Sequence, residues 1–104
     1  MTIIADRRNL FFVLFEMLGL EDVLAADQFA HCDRAVVEQI LDSAQRLAED
    51  LYLPSAASLD ACPPAVVNGE VEIKAEVGVA LAAYAKAGLS AQMFTHEHGG
   101  LQLP

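Results

Sequence analysis

Positive charge is scarce in this chain. Lys and Arg together number 6 against 15 Asp and Glu in 104 residues, a formal charge of −9. So few cations cannot neutralise a row of phosphates, so no nucleic-acid partner is expected and an anionic membrane should repel the chain. Tryptophan is absent, and the 7 aromatic residues have no basic surround, which suits a core better than a base-stacking platform. Neither a GxGxxG fingerprint nor a phosphate-cradling GxxxxGK loop is present. No apolar window approaches the roughly 20 residues that cross a bilayer. Cys32 and Cys62 are the only cysteines and, without an export signal, are read as reduced thiols.

What is abundant is apolar side chain, at 55% of the residues. Disorder is excluded on that ground, and the length fits one domain, residues 1–104. Arg7 and Arg8 before Leu10-Phe11-Phe12-Val13-Leu14-Phe15 imitate a secretory leader, yet Glu16, Glu21 and Asp22 break the pattern where a cleavage region should follow. The segment is therefore read as a helix of a cytoplasmic protein.

Asp6 is a candidate N-cap for a helix running to about Leu18, with Gly19 at its C-terminal exit. Apolar residues surround that helix almost completely. Leu10, Phe11, Phe12, Leu14 and Phe15 are accordingly predicted to form a docking surface. A short helix and a turn are expected over residues 21–30.

Asp33 caps the most strongly amphipathic helix, which should run to about Leu51 or Tyr52 and stop at Pro54. From Ser55 to Ile73 the periodicity dissolves. Asn68-Gly69 favours a type I′ turn, but so short a hairpin is marginal alone, so an irregular crossover with a turn is expected. An alanine-rich helix follows from about Ala75 to Ala87, closed by Gly88, and Leu89 to Pro104 reads as a turn and an exposed loop holding Gly99-Gly100. The expected fold is all-α: a small bundle of three main helices with short helices and a long irregular crossover.

Chemistry is thin. His96-Glu97-His98 offers metal-ligand types, but alternate residues converge only on a strand, a helical zinc motif needs its histidines four apart, and no third ligand adjoins. Glu97 has no partner that would make it a general acid. His31 beside Cys32 is no better supported, and neither cysteine lies in a nucleophile context. These residues are read as structural or solvent-exposed. No catalytic, cofactor-binding or metal site is assigned, and a stand-alone helical module that binds another protein through Phe11, Phe12 and Phe15 is one reading of the whole.

The other reading comes from resemblance. The ordered segments FFVLFEMLGLEDVL, DRAVVEQILDSAQRLAEDLYLP, VNGEVEIKAEV, ALAAYAKAGL and HEHGGLQLP resemble the start of acyl-CoA dehydrogenases, in the branch with an extra N-terminal segment. That resemblance implies an extension over residues 1–32, then core helices and a structural Gly99-Gly100 loop over residues 33–104. It further implies an FAD enzyme that oxidises acyl-CoA to trans-2-enoyl-CoA, with the flavin and a glutamate base in other domains. This portion would help wall the acyl tunnel, would bind no FAD alone, and would pack on those domains or self-associate. The sequence departs from the family at Leu89, where an aromatic is common, at Thr95 to His98 before the glycines, and at Ala75 to Gly78, where a proline-glycine pair is usual.

Overall fold

A computed structural model describes residues 4–104; residues 1–3, the first of the expected extension, lie outside it. Asp6 caps helix α1 (Arg7–Phe11), its carboxylate accepting the Asn9 amide at 3.1 Å. The helix passes without a break into a wide i→i+5 turn over Phe12–Met17, closed by the Leu18 amide on the Val13 carbonyl at 2.9 Å. Gly19 leaves it at φ 61°, a left-handed conformation that costs most residues 1 kcal/mol or more, about, and glycine little. Helix α2 (Leu20–Leu24) and a single turn at Asp27–Phe29 follow, in the place expected for them.

Asp33 caps α3 (Arg34–Leu47) by accepting the Val36 amide at 2.9 Å. Pro54, however, does not end the helix. A second wide turn at Ala48–Tyr52 links α3 directly to α4 (Leu53–Ala61), giving an unbroken helical rod of 28 residues. The physical reason is the change of register: Leu53 donates to Ala48, five residues back, and Pro54 falls in the first turn of the new helix. Proline is tolerated there because its fixed φ suits the first turn of a helix. The Ser55 hydroxyl then shares its hydrogen between the Leu51 and Tyr52 carbonyls, at 3.0 Å each, within the turn the proline disturbs.

The remainder of the expected crossover is also ordered. Strands β1 (Ala65–Val67) and β2 (Glu70–Glu72) pair antiparallel, with Val66 opposite Val71. Asn68 and Gly69 both take positive φ, 52° and 81°, as a type I′ turn requires. Helix α5 (Ala75–Lys86) ends at Gly88, φ 80°. Lys74, just ahead of α5, ties it to α4 by donating to the Ser58 carbonyl at 3.0 Å and its hydroxyl at 2.6 Å.

The C-terminal segment is more than an exposed loop. Single turns at Leu89–Ala91 and His96–His98 fold it back, and the amides of Leu101, Gln102 and Leu103 donate to the carbonyls of Ala91, Phe94 and Gln92. Leu89 and Gly100 are buried as a result.

The all-α class holds, with one two-stranded hairpin added, but the helices form an open slab instead of a bundle closed around a core. Its extents are 53 × 37 × 18 Å and its radius of gyration is 17.2 Å, against about 13 Å for a compact chain of this length. Its accessible surface is 7585 Å², where a folded monomer of this mass exposes about 5,700 Å². Among the described residues only Leu24, Cys32, Ala80 and Leu89 are buried apolar groups.

Candidate functional site

The predicted docking residues divide. Leu10, Phe11, Leu14 and Phe15 are half-buried, and Phe12 alone of the five points outward at 53% exposure. Two cations explain part of the difference. Arg7 reaches α3, pairing with Asp42 and donating to Gln45 at 3.1 Å, while its guanidinium lies 4.9 Å from the centre of the Phe11 ring. Arg34 sits 4.2 Å over Phe15 and bonds Glu38 at 3.0 Å and Glu21 at 3.2 Å. Those bonds, Glu38 foremost and then Glu21, raise the Arg34 pKa further above its ordinary value. The Phe11 and Phe15 rings also meet, 5.5 Å apart. The outward apolar side chains of this segment are therefore Phe12, Met17 and Leu18. Arg7 and Phe11, four apart on a helix, were a legible pair; Arg34 on Phe15 was not.

His96 and His98 diverge. The His96 ring packs edge-on against His31 at a centroid distance of 4.5 Å, and His98 Nδ1 lies 2.9 Å from Thr95 Oγ1. His31 Nε2 lies 3.1 Å from the Leu101 carbonyl, so the imidazole pair clasps the C-terminal segment to the turn after α2. Among the described residues no three metal-ligating side chains gather. Gln102 adds to the clasp by donating to the Gln28 carbonyl at 2.7 Å and accepting the His96 amide at 3.2 Å. Gly99, at φ 79°, and the buried Gly100 turn the chain between these contacts.

Both cysteines are free, Cys32 buried and Cys62 exposed. Burial, and secondarily the charge of Asp33, pushes the Cys32 thiol above its ordinary pKa. Iodoacetamide should therefore alkylate Cys62 at least about tenfold faster than Cys32 in the native chain. Peptide mapping before and after urea checks this, and equal native rates would refute it. The linkage follows from the same shift. The folded state holds the Cys32 proton at pH values where the unfolded state has released it, so its contribution to stability is complete below the ordinary thiol pKa and is lost as pH rises through the elevated one. Cys32→Ala should flatten that alkaline decline.

Among the shallow clefts on the described surface are four of about 190, 220, 260 and 370 Å³. The smallest, between the first helix and α3, is lined by Leu14, Leu20, Val37 and Ile40, with Leu103 and Pro104 from the tail. Three of them carry no Lys or Arg, and the fourth has only Lys74, whose ammonium is committed to Ser58. A dinucleotide's pyrophosphate calls for converging cations or helix amides, and none of these four clefts brings two cations together. Among the described residues no helix is long and apolar enough to cross a membrane.

Compared with known proteins, the chain matches no family model, no curated protein sequence and no solved structure.

Proposed function

We propose that these residues are the N-terminal helical portion of an FAD-dependent acyl-CoA dehydrogenase, serving as a wall of the acyl tunnel and contributing no catalytic group. One observation carries the reading: five segments, from FFVLFEMLGLEDVL to HEHGGLQLP, resemble that family in their order and spacing. It is supported by an open helical slab with surplus apolar surface, as expected of a wall whose other side belongs to further domains. Bound in those domains, FAD would accept the hydride from the acyl-CoA; the residues here would only shape and exclude water from the acyl chain's path. The reading places the enzyme in the cytoplasm. A stand-alone, non-catalytic interaction module is the second reading, favoured by the outward Phe12, Met17 and Leu18.

The test is to sequence the DNA downstream of the Pro104 codon and co-express its product with this chain. A flavoenzyme domain is expected in the same or the adjacent reading frame, and the purified complex should be yellow and be bleached by an acyl-CoA under anaerobic conditions. The 104-residue chain alone should emerge from gel filtration without flavin. Stoichiometric flavin on the isolated chain, or a neighbouring sequence with no such domain, would overturn the proposal.

A further inference from the structure

The chain has two asparagines, Asn9 and Asn68, and the fold places them in different surroundings. Both are exposed, so access to water does not separate them. Asn9 lies in α1, and the amide that follows it, on Leu10, donates to the Asp6 carbonyl at 2.9 Å. Asn68 is followed by Gly69 at the tip of the hairpin of β1 and β2, where both residues hold positive φ. The Gly69 amide donates to no backbone carbonyl among the described residues. A Cβ placed on Gly69 would meet nothing within 4 Å, so the space around that position is open. The hairpin is also thin: two strands of three residues, every one exposed. Two strands alone are marginal in water, so this tip opens more readily than α1, which Arg7 ties to α3.

We propose that Asn68 is a site of spontaneous covalent modification, at which the Gly69 main-chain nitrogen closes on the Asn68 side-chain amide and converts the residue to isoaspartate and aspartate. The Gly69 nitrogen forms a bond to Asn68 Cγ, and its proton passes through water to the departing side-chain nitrogen, which leaves as ammonia. A five-membered cyclic imide remains. Water then opens it at one of its two carbonyls. Attack at Cγ gives aspartate, and attack at the Asn68 main-chain carbonyl leaves the chain running through Cγ as isoaspartate. Water is consumed, ammonia is released, and no oxidant or enzyme is required. Glycine permits the approach, because no side chain shields the attacking nitrogen and the backbone is free to bring the reacting atoms to about 3–3.5 Å. At Asn9 the same attack would require the Leu10 amide to leave its helical bond and a branched side chain to move aside.

The modification should undo the hairpin. Isoaspartate puts an extra methylene into the main chain of a two-residue turn that depends on positive φ at both positions. It also adds a carboxylate beside Glu70, in a chain that already carries −9. With no buried side chain to hold β1 against β2, the pairing of Val66 with Val71 is then lost. The inference goes beyond the flavoenzyme reading and does not depend on it.

The test is to age the purified full chain in mildly alkaline buffer at physiological temperature. Peptide mapping by mass spectrometry follows each asparagine, and methyl labelling by an isoaspartyl methyltransferase detects isoaspartate. Asn68 should convert at least about tenfold faster than Asn9, and to both products. Gly69→Ala should slow Asn68 by about tenfold or more, because its methyl group obstructs the nitrogen. Alanine at this positive φ also loosens the turn, which by itself would speed the reaction, so the slowing cannot come from a damaged fold. The modified fraction, separated on anion exchange by its added charge, should lose the hydrogen-exchange protection of the strand amides. Equal rates at Asn68 and Asn9, aspartate without isoaspartate, a rate indifferent to Gly69→Ala, or strand protection kept after conversion would each overturn the proposal. None of these results bears on whether the chain belongs to a flavoenzyme.

Discussion

Gly100→Ala is expected to detach the C-terminal segment and lower stability by about 3 kcal/mol or more, at the upper end of overpacking penalties. An added Cβ would lie 1.9 Å from the Phe94 carbonyl oxygen, 2.4 Å from its carbon and 2.6 Å from the Ala91 oxygen. All three are backbone atoms, so no rotamer change relieves the overlap. The same two carbonyls accept the Gln102 and Leu101 amides, so moving them away undoes the fold-back itself. A loss of that size corresponds to about 12–25 °C in Tm for a chain of this length. Gly99→Ala is the control. Gly99 has positive φ but open space around it, so alanine should cost only about 1–2 kcal/mol there. Thermal unfolding of both variants, with hydrogen exchange at Leu101, Gln102 and Leu103, decides the matter. A Gly100→Ala protein as stable as Gly99→Ala, with those amides still protected, would mean that the segment does not close as described.

Leu89→Ala should be the other large loss, about 2–4 kcal/mol for a leucine truncated in a buried site. Leu89 is only 7% exposed, just beyond Gly88 where the chain leaves α5. With four apolar residues buried among those described, the chain has little else to compensate. Leu81, on α5 itself but 56% exposed, provides the contrast: Leu81→Ala should change the isolated chain by less than about 0.5 kcal/mol. Urea unfolding of the two variants measures both. Equal losses would show that the outer side of α5 is already covered in solution, for instance by a second chain.

Self-association of the isolated protein is the remaining expectation, and its salt dependence carries the information. Phe12, Met17 and Leu18 favour burial, but a charge of −9 per chain opposes bringing two copies together. Light scattering should therefore show association that grows as salt screens the repulsion. A monomer at high concentration in both low and high salt would count against these exposed apolar side chains.

The elements that could be read in advance are those governed by near neighbours. Asp6 and Asp33 cap because a carboxylate one turn before an amide has a donor to accept. Gly19 and Gly88 end helices in the left-handed conformation, and Asn68-Gly69 makes a two-residue turn, because those φ values suit these residue types. The apolar stripe of α3 follows from helical spacing alone. So the all-α class, the order of the helices and the surplus of apolar surface were determined by the sequence itself.

Tertiary structure decided the rest, because it depended on pairings that no local rule encodes. Pro54 signals a stop when read alone, and becomes the first turn of α4 only because a wide turn shifts the hydrogen-bond register before it. Phe15 is half-buried under Arg34 of α3, while Phe12 stays outside. His96 looks paired with His98 on paper, yet its partner is His31 on another segment. The tail folds back because Gly100 admits two carbonyls where any side chain would collide with them. Local energies choose a residue's conformation, whereas its neighbours across the fold are chosen by the packing of the whole chain.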